Sequence, residues 1–177
     1  MRSDCGFLRS SVFTGWLLVV LSVAAPGSVA AERAPAGGAV EQKLQTVVSD
    51  LKARLSIPDA VVVSIVPSEK LMMSVKAPTE AGTPFRLAID ARFLDALTDD
   101  ELEAAIAHEL GHIWVFTHHP YLQTEELANQ IAMRAVSRES LERVYGKVWE
   151  RSGAKGDLVR FLGPAPAPTL VSDTRGR

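Results

Sequence analysis

The run His108-Glu109-Leu110-Gly111-His112 sets two imidazoles four residues apart. On a helix each residue turns by about 100°, so the two rings leave one face about 40° apart and can share a metal ion. Glu109 lies beside the first ring, where it can take a proton from a water that the metal acidifies. Catalytic zinc commonly takes three protein ligands and leaves one position open. These residue types therefore predict a Zn2+ centre with His108 and His112 as two ligands and Glu109 as the general base.

The third ligand has competing candidates. Glu125 opens a stretch in which Glu125, Ala128, Asn129 and Ala132 share a helical face. The alanines would allow close approach to the histidine helix. Asn129, one turn on, can hold a ligand histidine through its amide oxygen. His118 has the spacing of the longer pattern H-E-x-x-H-x-x-G-x-x-H, but that pattern turns the chain at a glycine and this sequence has Val115. If the helix continues, His118 points about 240° away from His112. Glu126 is a further candidate. His118 and His119, in a His-His-Pro turn, are expected to be solvated unless one reaches the cleft. Tyr145 and Arg134 are possible stabilisers of an oxyanion, and Trp114 is expected to pack in the core.

The elements that must carry these groups are legible from periodicity. Leu44, Val47, Val48, Leu51 and Leu55 predict a helix from about Val40 to Leu55. Ala60–Val66, Leu71–Val75 and Phe85–Ile89 read as strands, with a loop over residues 78–84. Alternation along the second strand predicts one of Met72 and Met73 buried and the other exposed. Thr98 and Glu101 form a capping box, with Leu97 and Leu102 as a hydrophobic staple and Asp99 and Asp100 at the positive end of the dipole. The histidine helix then runs from Thr98 to about Phe116, with Leu102, Ile106 and Ile113 toward the core. Gly111 inside it costs about 1 kcal/mol against alanine, which points to a close neighbour or to the metal pocket. Thr124 caps a helix over about Glu125–Val136, and a last helix covers about Arg138–Arg151. The predicted class is α+β, with a small three-stranded sheet packed against the histidine helix and the ligand-bearing helix that follows it.

The N-terminus reads as a targeting segment. Arg2 and Arg9 precede an apolar stretch, Val12–Ala25, that is short for a bilayer span. Pro26-Gly27 and Ser28-Val29-Ala30 follow with small residues at cleavage spacing. The expected organisation is a signal peptide over 1–30, a flexible leader over 31–38, one domain over 39–162 and a disordered tail over 163–177. An uncleaved N-terminal anchor is the alternative. The expected location is periplasmic or secreted. Cleavage would remove Cys5, the only cysteine, and with it any disulfide or thiolate ligand. Of 19 basic and 21 acidic residues it would take Arg2, Arg9 and Asp4, leaving 17 against 20. No basic stripe for nucleic acid is present, and no membrane span is expected after cleavage.

The approach Leu97-Thr98-Asp99-Asp100-Glu101-Leu102 to His112, followed by Glu125-x-x-Ala128-Asn129, resembles the gluzincin metallopeptidases. It is most similar to the heat-shock and CAAX-prenyl zinc endopeptidases. The resemblance covers about residues 60–135 and implies a minimal zincin-like fold, with His108, His112 and Glu125 on zinc and Glu109 as general base. Asn129 stands where that family has aspartate, a form similar to the gluzincins that cleave phage or stress-response repressors. The family's Asn-Ala-aromatic strand motif is replaced by Leu71-Met72-Met73-Ser74. The expectation is a zinc-dependent metalloendopeptidase acting on unfolded or extended exported or envelope proteins. The alternative is a non-catalytic zinc-binding interaction domain of the cell envelope.

Overall fold

The computed structural model describes residues 36–165. The expected signal peptide, the expected leader up to residue 35 and the expected tail from residue 166 lie outside the described residues. The order is α1 (Ala36–Arg54), β1 (Val61–Val66), β2 (Met73–Lys76), β3 (Phe85–Asp90), α2 (Ala91–Ala96), α3 (Asp99–His118), α4 (Glu125–Ala132), α5 (Arg138–Ser152) and α6 (Leu158–Leu162). The class is α+β, as expected. α1 begins four residues before the expected start, so residues 36–38 are helical. The short helices α2 and α6 are additions to the sequence reading, and α4 ends at Ala132, short of Val136.

The sheet has the order β1-β3-β2. β1 and β3 are parallel, from Val61 opposite Phe85 to Val66 opposite Asp90. β2 is antiparallel to β3 at the edge. Val61, Val63, Phe85, Leu87 and Ile89 are buried on one face, whereas Val62 and Arg86 on the other are exposed. The buried face meets Leu44, Val48 and Leu51 of α1 and Ile106, Leu110 and Ile113 of α3 in one core cluster. Trp114 packs at its margin, only partly buried.

The two sheet edges differ. On β1 three of the main-chain groups that face away from β3 are taken by side chains of α1. Gln45 Nε2 donates to Val61 O (2.9 Å), Gln45 Oε1 accepts from Val63 N (3.2 Å) and Glu41 Oε1 accepts from Ile65 N (3.3 Å). On β2, Met72 O accepts from Asp90 N. Alternation then turns the main-chain groups of Met73 and Val75 outward.

The second strand departs from expectation. Met72 has φ +67°, which breaks the alternation before the strand starts, and both methionines are buried while Leu71 is exposed. Strand β2 therefore starts at Met73 and runs to Lys76.

The start of α3 is as read. Thr98 Oγ1 accepts from Glu101 N and Glu101 Oε2 accepts from Thr98 N (2.8 Å), closing the box. Glu101 is buried and also meets Lys147 Nζ (2.6 Å) and Arg143 Nε (3.6 Å) of α5. Burial, the largest single influence, would raise its pKa. The hydrogen bonds from Lys147 and Thr98 together outweigh it, and the carboxyl ionises below its ordinary 4.5. A depressed folded-state pKa adds stability above pH about 4.5 that is lost as pH falls through the folded value. Glu101→Ala is expected to cost about 2 kcal/mol at pH 7, from the lost cap and partly exposed ion pairs. In urea denaturation the gap to wild type should narrow below pH about 4.

Candidate metal centre

α3 carries His108, Glu109 and His112 past the end of β2, and α4 lies across α3. Gly111 is where the two helices meet. A Cβ on Gly111 would overlap the main-chain carbonyl of Ala128. The missing side chain therefore serves helix packing, and this close crossing brings Glu125 and Asn129 to the histidines. Thr124 caps α4 by accepting from Leu127 N (3.2 Å), which fixes Glu125 at its first position.

Four donor atoms of three residues converge. His108 Nε2 and His112 Nε2 are 3.2 Å apart. Glu125 Oε2 is 3.3 Å from His108 Nε2, and its Oε1 is 3.5 Å from His112 Nε2. A tetrahedral ion with bonds of about 2.0–2.1 Å separates its ligands by about 3.3 Å. The spacings, with each ring facing its own oxygen of the carboxylate, are close to that ligand separation.

The chemistry of the donors agrees. His108 Nδ1 is 2.8 Å from Asn129 Oδ1. An amide oxygen only accepts, so Nδ1 carries the hydrogen and, in the neutral ring, Nε2 offers its lone pair to the convergence. Two imidazoles and a carboxylate that direct lone pairs at one point call for a cation, and nitrogen and oxygen donors suit zinc. Burial opposes a charge on His108, but the hydrogen bond to Glu125 and the nearby Glu109 carboxylate raise its pKa. Hydrogen bonds from the same two rings hold Glu125 far below the usual carboxylate range. Both directions show a site that draws positive charge.

Glu109 is buried and lines the same cleft as the two rings. Burial above all raises its pKa, which the imidazoles and a hydrogen bond from the Val75 main chain counter. Its carboxyl thus stands between the histidines and the edge of β2. That cleft, of about 440 Å³, opens over these groups, lined by Leu71, Val75 and Phe116 and by Leu141, Val144 and Val148 of α5.

The remaining sequence candidates lie as follows. α3 continues to His118, two residues beyond its expected end, and this turns His118 away from His112. The His118 ring stacks on Trp114 (4.0 Å between centroids, 5° between planes), and its Nδ1 is 2.9 Å from Trp114 O. His119 is exposed beside the same indole, and Arg134 lies over it at 5.2 Å. Glu126 is hydrogen-bonded to Gln130 and is exposed. The Tyr145 hydroxyl accepts from Asn129 Nδ2 (2.8 Å) and donates to Glu125 Oε2 (3.4 Å), so it supports the carboxylate. Burial, first of all, pushes its pKa up, which keeps it a neutral donor. The sequence reading did not include the Val75 main chain or the carbonyl of Phe161, which also meets Asn129. Neither contact has a local signal, since both depend on distant segments coming together.

Peptidase family M48 matches residues 39–170 of the chain. None of the curated proteins matches it. Among solved structures the chain is similar to the metallopeptidase zymogen of Pyrococcus abyssi abylysin, at 15% identity and TM-score 0.46, covering 64% of this chain and 99% of that one. It is similar likewise to the metallopeptidase zymogen of Methanocaldococcus jannaschii jannalysin, at 15% identity and TM-score 0.46, covering 62% and 96%.

Proposed function

The chain belongs to peptidase family M48 and is a metallopeptidase, and from that premise we propose a zinc-dependent endopeptidase in which His108, His112 and Glu125 hold the ion and Glu109 is the general base. The observation that carries this reading is the convergence of the two Nε2 atoms and the Glu125 carboxylate, with spacings of 3.2 to 3.5 Å. Zinc bound there would polarise the scissile carbonyl and make a water acidic enough to attack at neutral pH. Glu109 accepts the proton of the attacking water and delivers it to the leaving amine. Asn129 and Tyr145 keep His108 and Glu125 aimed at that convergence.

The substrate is an extended segment of an unfolded protein. Of the sheet's two edges, that of β1 is filled by Gln45 and Glu41. The edge of β2 has the main-chain groups of Met73 and the carbonyl of Val75 turned outward beside Glu109, where a peptide can add as a further strand. The apolar walls suit apolar side chains near the scissile bond. The residues of the signal-like N-terminus support substrates among exported or envelope proteins. Among the described residues no helix is long and apolar enough to cross a membrane.

Two experiments test this. Purified protein with one equivalent of zinc should cut an unfolded protein, and failure to cut any unfolded protein or peptide library would sink the enzyme assignment. In a chelator competition, Glu125→Ala should weaken zinc binding by more than the roughly 10- to 100-fold attached to a supporting partner. His118→Ala should leave it unchanged. The reverse pattern would move the third ligand to His118.

A further inference from the structure

α6 is a five-residue helix with no place in the sequence reading, yet it reaches the metal centre through Asn129. That side chain is fully buried, so no solvent can satisfy or reorient its amide. Asn129 Nδ2 donates to the Tyr145 hydroxyl (2.8 Å) and to the Phe161 carbonyl of α6 (2.9 Å), while Oδ1 faces His108 Nδ1. The two partners of the nitrogen are not equivalent. A hydroxyl donates or accepts and would tolerate either face of the amide. A main-chain carbonyl only accepts and requires N–H. The carbonyl therefore decides the flip.

α6 is held for this task. Arg138, at the start of α5, donates to Leu162 O (2.8 Å), Gly163 O (2.9 Å) and Pro164 O (3.4 Å), and is itself paired with Glu142 (2.8 Å). Asp157 caps the other end by accepting from Val159 N (2.9 Å). The Phe161 ring packs on Tyr145 and Trp149. Gly156 lets the turn fold over Trp149, whose side chain a Cβ at 156 would overlap.

We propose that α6 and its Arg138 clamp are part of the metal centre: the Phe161 carbonyl sets the facing of the Asn129 amide, and through it which nitrogen of His108 is free to bind. Arg138 is thus a positioning residue that acts across three hydrogen bonds. Asparagine at 129 is then a requirement of this chain. An aspartate would turn a carboxylate oxygen toward the Phe161 carbonyl, acceptor against acceptor.

The proposal rests on the metal reading of the triad, and one of its tests needs no metal. In metal-free protein carrying Glu125→Ala, so that no carboxylate competes for a proton on Nε2, long-range 1H–15N NMR at a pH where the ring is neutral should show His108 as the Nδ1–H tautomer. Adding Arg138→Ala to that protein should give a mixture of the two tautomers. Arg138→Ala alone should weaken zinc binding about 10-fold. Asn129→Asp should weaken it about 10- to 100-fold. A carboxylate at this place would ordinarily strengthen the histidine ligand, so equal or tighter zinc binding by Asn129→Asp overturns the proposal. An unchanged tautomer and zinc affinity in Arg138→Ala, with only a lowered melting temperature, also overturns it and leaves α6 as packing. Wild-type protein that takes up no zinc, with the tautomer change still seen on Arg138→Ala, would reject the metal reading while retaining the control of His108 by α6.

Discussion

Glu109→Gln is expected to lower kcat/KM on an unfolded protein by roughly 10²- to 10⁴-fold, the range over which a positioned general base acts, with zinc content unchanged. The glutamine has nearly the same shape, and its amide oxygen can still accept from the Val75 main chain. It has no lone pair basic enough to take the proton of water. The proposed metal ligands His108, His112 and Glu125 are untouched, so stoichiometry measured by atomic absorption should match wild type. Loss of zinc together with activity would recast Glu109 as a support of the site. Full activity with full zinc would remove it from the mechanism. Because Glu109 is buried, the variant should also be as stable as wild type or more so, since a buried carboxyl is replaced by a neutral group.

Gly111→Ala has the second-largest expected effect, and its sign runs against helix propensity. In an isolated helix this exchange gains about 1 kcal/mol. Here the new methyl would overlap the Ala128 carbonyl. That atom belongs to main chain and cannot rotate away, so α4 as a whole must shift. Overpacking of this kind costs about 1–3 kcal/mol or more. The net expectation is a loss of about 2 kcal/mol, or roughly 5–10 °C in melting temperature. Since α4 carries both Glu125 and Asn129, its displacement should also weaken zinc binding, by at least about 10-fold. A thermal melt of metal-free protein reads the first effect and a chelator competition the second. An alanine variant at least as stable as wild type would mean that the helices do not touch at this crossing.

What the sequence made legible follows the range of the interactions involved. The capping box at Thr98 and the i, i+4 histidines are local, and both stand as read. So does the support of His108 by Asn129, because one turn of α4 sets the offset between Glu125 and Asn129. The choice between Glu125 and His118 stayed open because it depends on where α3 ends, and the His-His-Pro segment gave a reason to end it early. With the helix continuing to His118, rotation alone turns that ring onto Trp114. Met72 was hidden for a different reason. A positive φ in a non-glycine residue leaves no mark in the pattern of side chains, so strict alternation wrongly exposed one methionine. Gly111 announced a constraint but not its partner, since Ala128 approaches from another helix. The Phe161 carbonyl is the extreme case: it reaches Asn129 from 32 positions further along the chain, and a main-chain atom has no residue type to betray it.

The seal on β1 has a consequence for colloidal behaviour. Gln45 and Glu41 occupy the outward amides and carbonyl of Val61, Val63 and Ile65, and bare strands of that kind recruit other molecules. Stripping the seal with Gln45→Ala and Glu41→Ala together would give each molecule a second sticky border. Copies could then zip border to border, and light scattering should report particles that grow with concentration. Two side chains on a helix thus keep that border of the sheet from pairing with another copy of the chain.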